Sequence, residues 1–337
     1  MKILLIKTSS LGDILHVLPA LTDAAAYFPE ISVDWVVEKS FQEIPQLHKK
    51  VRRVIPLEFR QWRKNLFSAK TWKALGHFIK MLRQEKYDAI IDAQGLVKSA
   101  WLACVAKGPS MGLDWASARE PFASLFYRHH VTVNFQKHAI TRMRELFAKT
   151  LHYPVPTTLP AALDKQDFIK PPAAPEAYLL FLHGTTWSNK KWPLLYWQSL
   201  ARQAAEAGLT VYLPWSTPEE QDMALQIQQH LSQIHILPPQ TLSEMAAWIA
   251  HAKKIVAVDT GLGHLAAAFG TPTLSLYGPT NPAFTGAMGP HQTHLVAQFP
   301  CAPCLQKMCA YTGEIKTFPA CFTTIPPEKV WEALQKC

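Results

Sequence analysis

The chain has 337 residues, 48% of them hydrophobic and 18% charged, with a net charge of +9. That balance excludes a disordered polymer, and the length exceeds what one ordinary core accommodates, so two domains are expected. No run of about 18 uncharged apolar residues occurs, so no bilayer-spanning segment is expected. The apolar run Ile3 to Ile6 is too short for a secretory leader, so the expected compartment is the cytoplasm.

The first strand-like run, residues 2–7, enters Lys7-Thr8-Ser9-Ser10-Leu11-Gly12-Asp13 and then a second apolar stretch. This is a strand-to-helix turn with a carboxylate at its mouth. Ser10-x-x-Asp13 has the spacing of a capping box, so Asp13 reads either as a helix cap or as a group placed for chemistry. Further strands are predicted over residues 32–37, 51–57 and 87–93. Between them Leu66, Trp72, Leu75, Phe78, Ile79 and Leu82 mark a helix by their mostly three- and four-residue spacing. This alternation predicts a parallel sheet covered by helices on both faces.

Residues 49–86 hold twelve Lys and Arg against Glu58 and Glu85, an excess of +10 that leaves the remaining chain at −1. Such a segment suits phosphate on nucleic acid, anionic lipid or a phosphorylated substrate, or is a solvated helical face. No nucleic-acid recognition motif accompanies it, so no nucleic-acid partner is expected.

Six prolines between residues 152 and 177 (Pro154, Pro156, Pro160, Pro171, Pro172, Pro175) mark an interdomain linker. The strand rhythm then resumes over 178–182, 210–213, 235–237, 255–258 and 273–277. Two doubly wound α/β domains are therefore predicted, with ligands expected at the carboxyl ends of strands. A last helix starts near Pro327.

The second half opens on Leu182-His183-Gly184-Thr185-Thr186, followed by Lys190, Lys191 and Trp192-Pro193. Hydroxyls and an ammonium at a helix entrance suit a phosphate, although a surface loop with an ordinary cap fits as well. Val258-Asp259-Thr260-Gly261-Leu262-Gly263-His264 follows a buried strand. Gly261-x-Gly263-x-x-Ala266 matches the dinucleotide fingerprint in form only. That fingerprint wants an acid about 20 residues further on, and no Asp or Glu stands between Thr260 and Gly313. What remains is a helix start aimed at phosphates, with Asp259 as a cap or a sugar ligand. His264, one turn into that helix, is a site residue or a buried histidine bonded to a neighbour.

Asp-x-Asp occurs nowhere, and no catalytic metal is expected. Cys301-Ala-Pro-Cys304 with Cys309 and Cys321 suggests zinc but lacks a clean second Cys-x-x-Cys, so the group reads as structural or unligated.

The turn at residues 7–13, His183-Gly184-Thr185-Thr186 with Lys190 and Trp192-Pro193, Leu213-Pro214-Trp215, the segment 258–265 and Tyr277-Gly278-Pro279-Thr280 together resemble the lipopolysaccharide heptosyltransferases of glycosyltransferase family 9. The opening turn is most similar to members that add the first heptose of the inner core. The resemblance implies a GT-B fold, two Rossmann-like domains facing across a cleft. Their expected extents are residues 1–160 for the acceptor and 177–325 for the nucleotide sugar. A linker at 161–176 joins them, and a final helix, 326–337, packs back on the first domain. It implies ADP-heptose as donor, Kdo2-lipid A as acceptor, inversion at the anomeric carbon, no cofactor and no metal. It also implies a cytoplasmic enzyme peripheral on the inner membrane.

By the same resemblance Asp13 is the general base. Thr185, Thr186, Lys190, Glu220, Gln240, Asp259, Thr260, Gly261 and His264 bind the donor. Ser10, Gly12, Arg60, Arg63, Lys64 and Arg119 bind the acceptor. Residues 59–64 would meet both acceptor and membrane, their rings either exposed beside the cations or packed against a neighbouring helix. Gly263 stands where a serine is usual, and Gln240 where others carry an apolar residue near adenine. Two rivals are a family member acting on an already heptosylated acceptor (II or III) and a two-domain sugar-binding protein without chemistry.

Overall fold

The computed structural model describes all residues except Leu66, Phe67 and Lys316, together with the side chain of Arg60. The place predicted for Leu66 therefore lies outside the described residues. The chain forms two compact units, Met1–Thr158 and Leu159–Cys337.

The first unit holds β1 (Lys2–Ile6), β2 (Ser32–Glu38), β3 (Val51–Leu57), β4 (Ala89–Asp92), β5 (Ser110–Leu113) and β6 (His129–Val131). All pairs are parallel and the order is β3-β2-β1-β4-β5-β6. Ile3, Leu4, Leu5 and Ile6 are fully buried, as a strand between two helical layers requires. One core cluster joins Leu4, Ile6, Val36 and Ile55 to Trp62, Phe78, Leu82 and Tyr87. Phe78 and Leu82 are the inward residues of the helix Ala69–Leu82. Trp62 follows the helix-packing alternative. Its ring is buried against Phe78, with centroids 5.5 Å apart, and the rings exposed nearby are Trp72 and Trp101.

The second unit holds β7 (Leu179–Leu182), β8 (Val211–Leu213), β9 (Ile234–Ile236), β10 (Lys254–Val258), β11 (Thr273–Tyr277) and β12 (Gln292–Val296), in the order β12-β11-β10-β7-β8-β9. These strands are also parallel. Phe181, Trp192, Trp197, Val256, Leu274 and Phe322 form its core. The last helix, Pro327–Lys336, begins at proline as expected. It buries Val330 and Leu334 in this second core.

The doubly wound α/β class is thus borne out in each unit. Each sheet has one place where the winding direction reverses: between β1 and β4, and between β7 and β10. Crevices for ligands form outside the carboxyl ends of such strand pairs. Among the described residues no helix is long and apolar enough to cross a membrane.

Candidate functional site

The two turns singled out by sequence leave β1 and β10, each at one of these reversal points.

In the second unit, Asp259 follows β10 and is 9% exposed. Its Oδ2 lies 2.7 Å from Lys190 Nζ and accepts the Thr280 hydroxyl at 2.7 Å. His264 Nε2 stands 4.0 Å from Oδ1. The Thr185 hydroxyl donates to the Asp259 carbonyl at 3.0 Å, joining the loops after β7 and β10. Lys190 also lies 4.5 Å above the Trp187 ring. Thr260 heads the helix Gly261–Phe269 in extended backbone, and its side chain does not cap it. The first amides of a helix lack internal partners, so this end presents donors and a positive field. Gly270 closes the helix at φ +67°, the left-handed conformation that glycine adopts without penalty.

Glu220 reaches the same place from the helix Pro218–Gln228. Its carboxylate accepts the Ser216 amide at 2.8 Å and hydroxyl at 2.7 Å, and a Cβ at Gly184 would collide with it. Glycine at 184 therefore leaves room for that carboxylate. The Glu220 carbonyl bonds His183 Nε2 at 3.0 Å, and burial holds His183 below its ordinary pKa. Thr186 is exposed beside Thr185. Gln240 turns back on its own loop, its amide donating to the carbonyls of Pro238 and Pro239.

In the first unit Asp13 is the third residue of the helix Leu11–Leu15 and is half-buried. Its Oδ2 accepts both the Ser10 amide and the Ser10 hydroxyl at 3.0 Å. The turn is held from β4. Gln94 Oε1 accepts the amides of Thr8 at 2.9 Å and Ser9 at 3.3 Å. Asp92, fully buried, fixes Gln94 by accepting its amide at 2.8 Å, and burial raises the Asp92 pKa. Lys7 donates to the Ala93 carbonyl at 2.9 Å. Burial lowers its pKa, with Asp13 and Asp92 opposing and Arg142 and Arg119 reinforcing the shift. Arg119 is exposed; its backbone lies against Gly95, in the turn after β4.

Arg63 and Lys64 are exposed on the helix Phe59–Lys64. Arg63 and Thr8 line one cavity, which connects that helix to the β1 turn. The side chain of Arg60 lies outside those described. The basic segment is not one open face. Arg52 and Arg53 both bind the buried Asp34, and Arg52 also binds Glu85.

Sequence reasoning missed Gln94 and Arg142, which have no local signature, and left Lys7 and Thr280 in motifs without a role of their own. The four cysteines 301, 304, 309 and 321 line a cavity of about 250 Å³, all as free thiols, and burial among its neighbours pushes Cys321 up to about 12. Among the described residues no group of three or more His, Cys, Asp or Glu side chains could hold a metal ion.

Comparison with known proteins matches residues 75–314 to the family model of glycosyltransferase family 9 (heptosyltransferase). Lipopolysaccharide heptosyltransferase 1 of Pseudomonas aeruginosa is 50% identical over 99% of this chain and 97% of its own. Its namesake in Escherichia coli K12 is 46% identical over 87% of this chain and 92% of its own. The solved E. coli heptosyltransferase WaaC with ADP-2-deoxy-2-fluoro heptose aligns with a TM-score of 0.86 at 40% identity, covering 100% of this chain and 99% of that one.

Proposed function

The chain belongs to glycosyltransferase family 9, the heptosyltransferases, and is an enzyme of the heptosyltransferase I type in lipopolysaccharide core biosynthesis; from that premise we propose its donor, acceptor and mechanism. The donor is ADP-heptose and the acceptor is the Kdo of Kdo2-lipid A. Transfer inverts the anomeric carbon and needs no metal. The protein works at the cytoplasmic face of the inner membrane as a peripheral enzyme.

The observation that carries this reading is the cluster on Asp259: Lys190, Thr280, Thr185 and His264 at the head of a helix. A diphosphate placed there meets an ammonium, hydroxyls and the positive end of Gly261–Phe269. Those groups stabilise the charge that develops as the donor bond breaks, a role often filled by a metal ion. Glu220 holds the ribose hydroxyls. The solved relative with an ADP-heptose analogue supports the donor. Asp13, at the other reversal point, takes the proton of the attacking hydroxyl. Ser10 and Gly12 shape the acceptor's approach, while Arg63, Lys64 and Arg119 meet its phosphates and carboxylates.

The test is calorimetry with ADP, together with an ADP-release assay run with and without EDTA. Lys190→Ala should weaken ADP binding by about 1.5–3 kcal/mol, the range for a charged hydrogen bond. Turnover should survive chelation. Unchanged ADP affinity in the variant would remove the donor assignment, and loss of turnover restored by Mg²⁺ would remove the metal-free mechanism.

A further inference from the structure

The first unit contains a cavity of about 250 Å³ that the reading above does not use. It lies between the helix Phe59–Lys64 and the helices Ala69–Leu82 and Val97–Val105. Phe59, Trp72, Leu75 and Trp101 form apolar walls, and Thr8 closes the end that belongs to the β1 turn. Arg63 and Lys98 also line it, with Lys98 5.3 Å from the Phe59 ring centroid. Trp72 is 63% exposed and Trp101 40%. Two indole rings exposed on the walls of one cavity make a contiguous apolar surface, the kind that marks an interaction site.

We propose that this cavity receives one acyl chain of the lipid-linked acceptor. The walls argue for a hydrocarbon: they are rings and methyl groups, and a bare glycan would need hydrogen-bonding partners there. The charges argue for an anionic amphiphile. Arg63 and Lys98 sit within the lining, and Lys64, Lys70 and Lys73 are exposed on the same helices. The nearby acids are engaged elsewhere, Glu58 on Lys39 and Glu120 on the Val97 amide. Thr8 places the inner end in the turn that carries Asp13. A chain seated in the cavity thus tethers the acceptor beside that turn, with its anionic groups among the cations. This rests on the acceptor reading proposed above.

The experiment compares Kdo2-lipid A in mixed micelles with the same molecule stripped of all fatty acids, using the double variant Trp72→Ala/Trp101→Ala. Both rings are exposed, so the fold should persist. The acylated acceptor should show a KM raised about tenfold, the effect of roughly 1.4 kcal/mol of lost contact, with kcat unchanged. The deacylated acceptor should be used as by wild type. Separately, a phosphatidic acid with brominated chains should quench wild-type tryptophan emission, and glycerol phosphate should not. Equal losses on both acceptors would overturn the proposal, since the rings would then serve the glycan or the fold. Unchanged KM in micelles with weaker binding to anionic vesicles would also overturn it, in favour of docking on a bilayer surface. If wild type glycosylates neither acceptor, the acceptor reading fails, and the quenching arm alone decides whether a chain enters: no quenching overturns the proposal.

Discussion

Asp13 Oδ2 accepts the Ser10 amide and hydroxyl, so this carboxylate does hold a helix start together, as the capping spacing suggested. A cap and a base are separable because one needs an acceptor oxygen and the other a basic one. Asp13→Asn retains an oxygen that accepts, so stability should change by less than about 1 kcal/mol. The amide takes no proton, so kcat should fall at least about 100-fold while ADP affinity holds. Normal turnover in a variant that melts much earlier would leave Asp13 as a cap alone. His48 offers a test of burial by pH. Its Nδ1 accepts the Lys50 amide at 3.2 Å, so its proton sits on Nε2, which faces the Thr22 hydroxyl at 3.2 Å. Burial, reinforced by Lys50, lowers its pKa from 6.5 to about 4. The folded state thus favours neutral imidazole. Its contribution is full above about pH 6.5 and is lost as pH falls toward 4, on the order of 2–3 kcal/mol. His48→Gln should be less stable than wild type at pH 7, and the gap should close by pH 4.5. A gap independent of pH would contradict the assignment.

At the scale of the element, the helix Gly261–Phe269 is unusual in carrying two glycines in its first turn. A Cβ at Gly263 would meet only ordinary contacts, Ala257 Cβ at 3.5 Å and the Val258 carbonyl at 3.8 Å. Gly263→Ala should therefore stabilise the protein by about 0.5–1 kcal/mol through the lost freedom of the unfolded chain. A destabilised variant, measured by denaturant unfolding, would show that the helix sits closer to β10 than these contacts allow. The elements that escaped sequence reading share a cause. β5 reads Ser-Met-Gly-Leu and β6 His-His-Val, neither an apolar run nor a clean alternation. Gly112 is tolerated in β5 because the Tyr127 ring occupies the space a side chain would need. β12 is a half-exposed strand at the sheet edge.

For the whole molecule, charge distribution matters more than net charge. Of the basic segment, Arg52 and Arg53 are paired with Asp34, which leaves the helix Phe59–Lys64 and the exposed lysines beyond it to face an anion. Replacing Arg60, Arg63 and Lys64 together by Ala should raise acceptor KM, more at low salt than at high, because salt already screens exposed charges. Donor KM should hardly move, since the donor groups proposed above all belong to the other unit. A loss of donor affinity in the triple variant would place the patch wrongly.

Among the described residues the amino-acid sequence by itself determined where nine of the twelve strands run, most plainly those covered on both faces, which must be apolar along their length. It also marked the turns proposed above to carry chemistry, since Asp, Gly and hydroxyl residues at strand ends stand out against such runs. Glu220 and Asp259 came from resemblance and a strand-end motif, not from any visible contact. Only the tertiary structure decided the strand order, and with it that both turns lie where the winding reverses. It alone joined Thr8 to Gln94 across 86 residues and Thr185 to Asp259 across 74. Strand burial is a local property written in composition. A hydrogen bond between distant loops depends on how the sheet is wound, which no short stretch encodes.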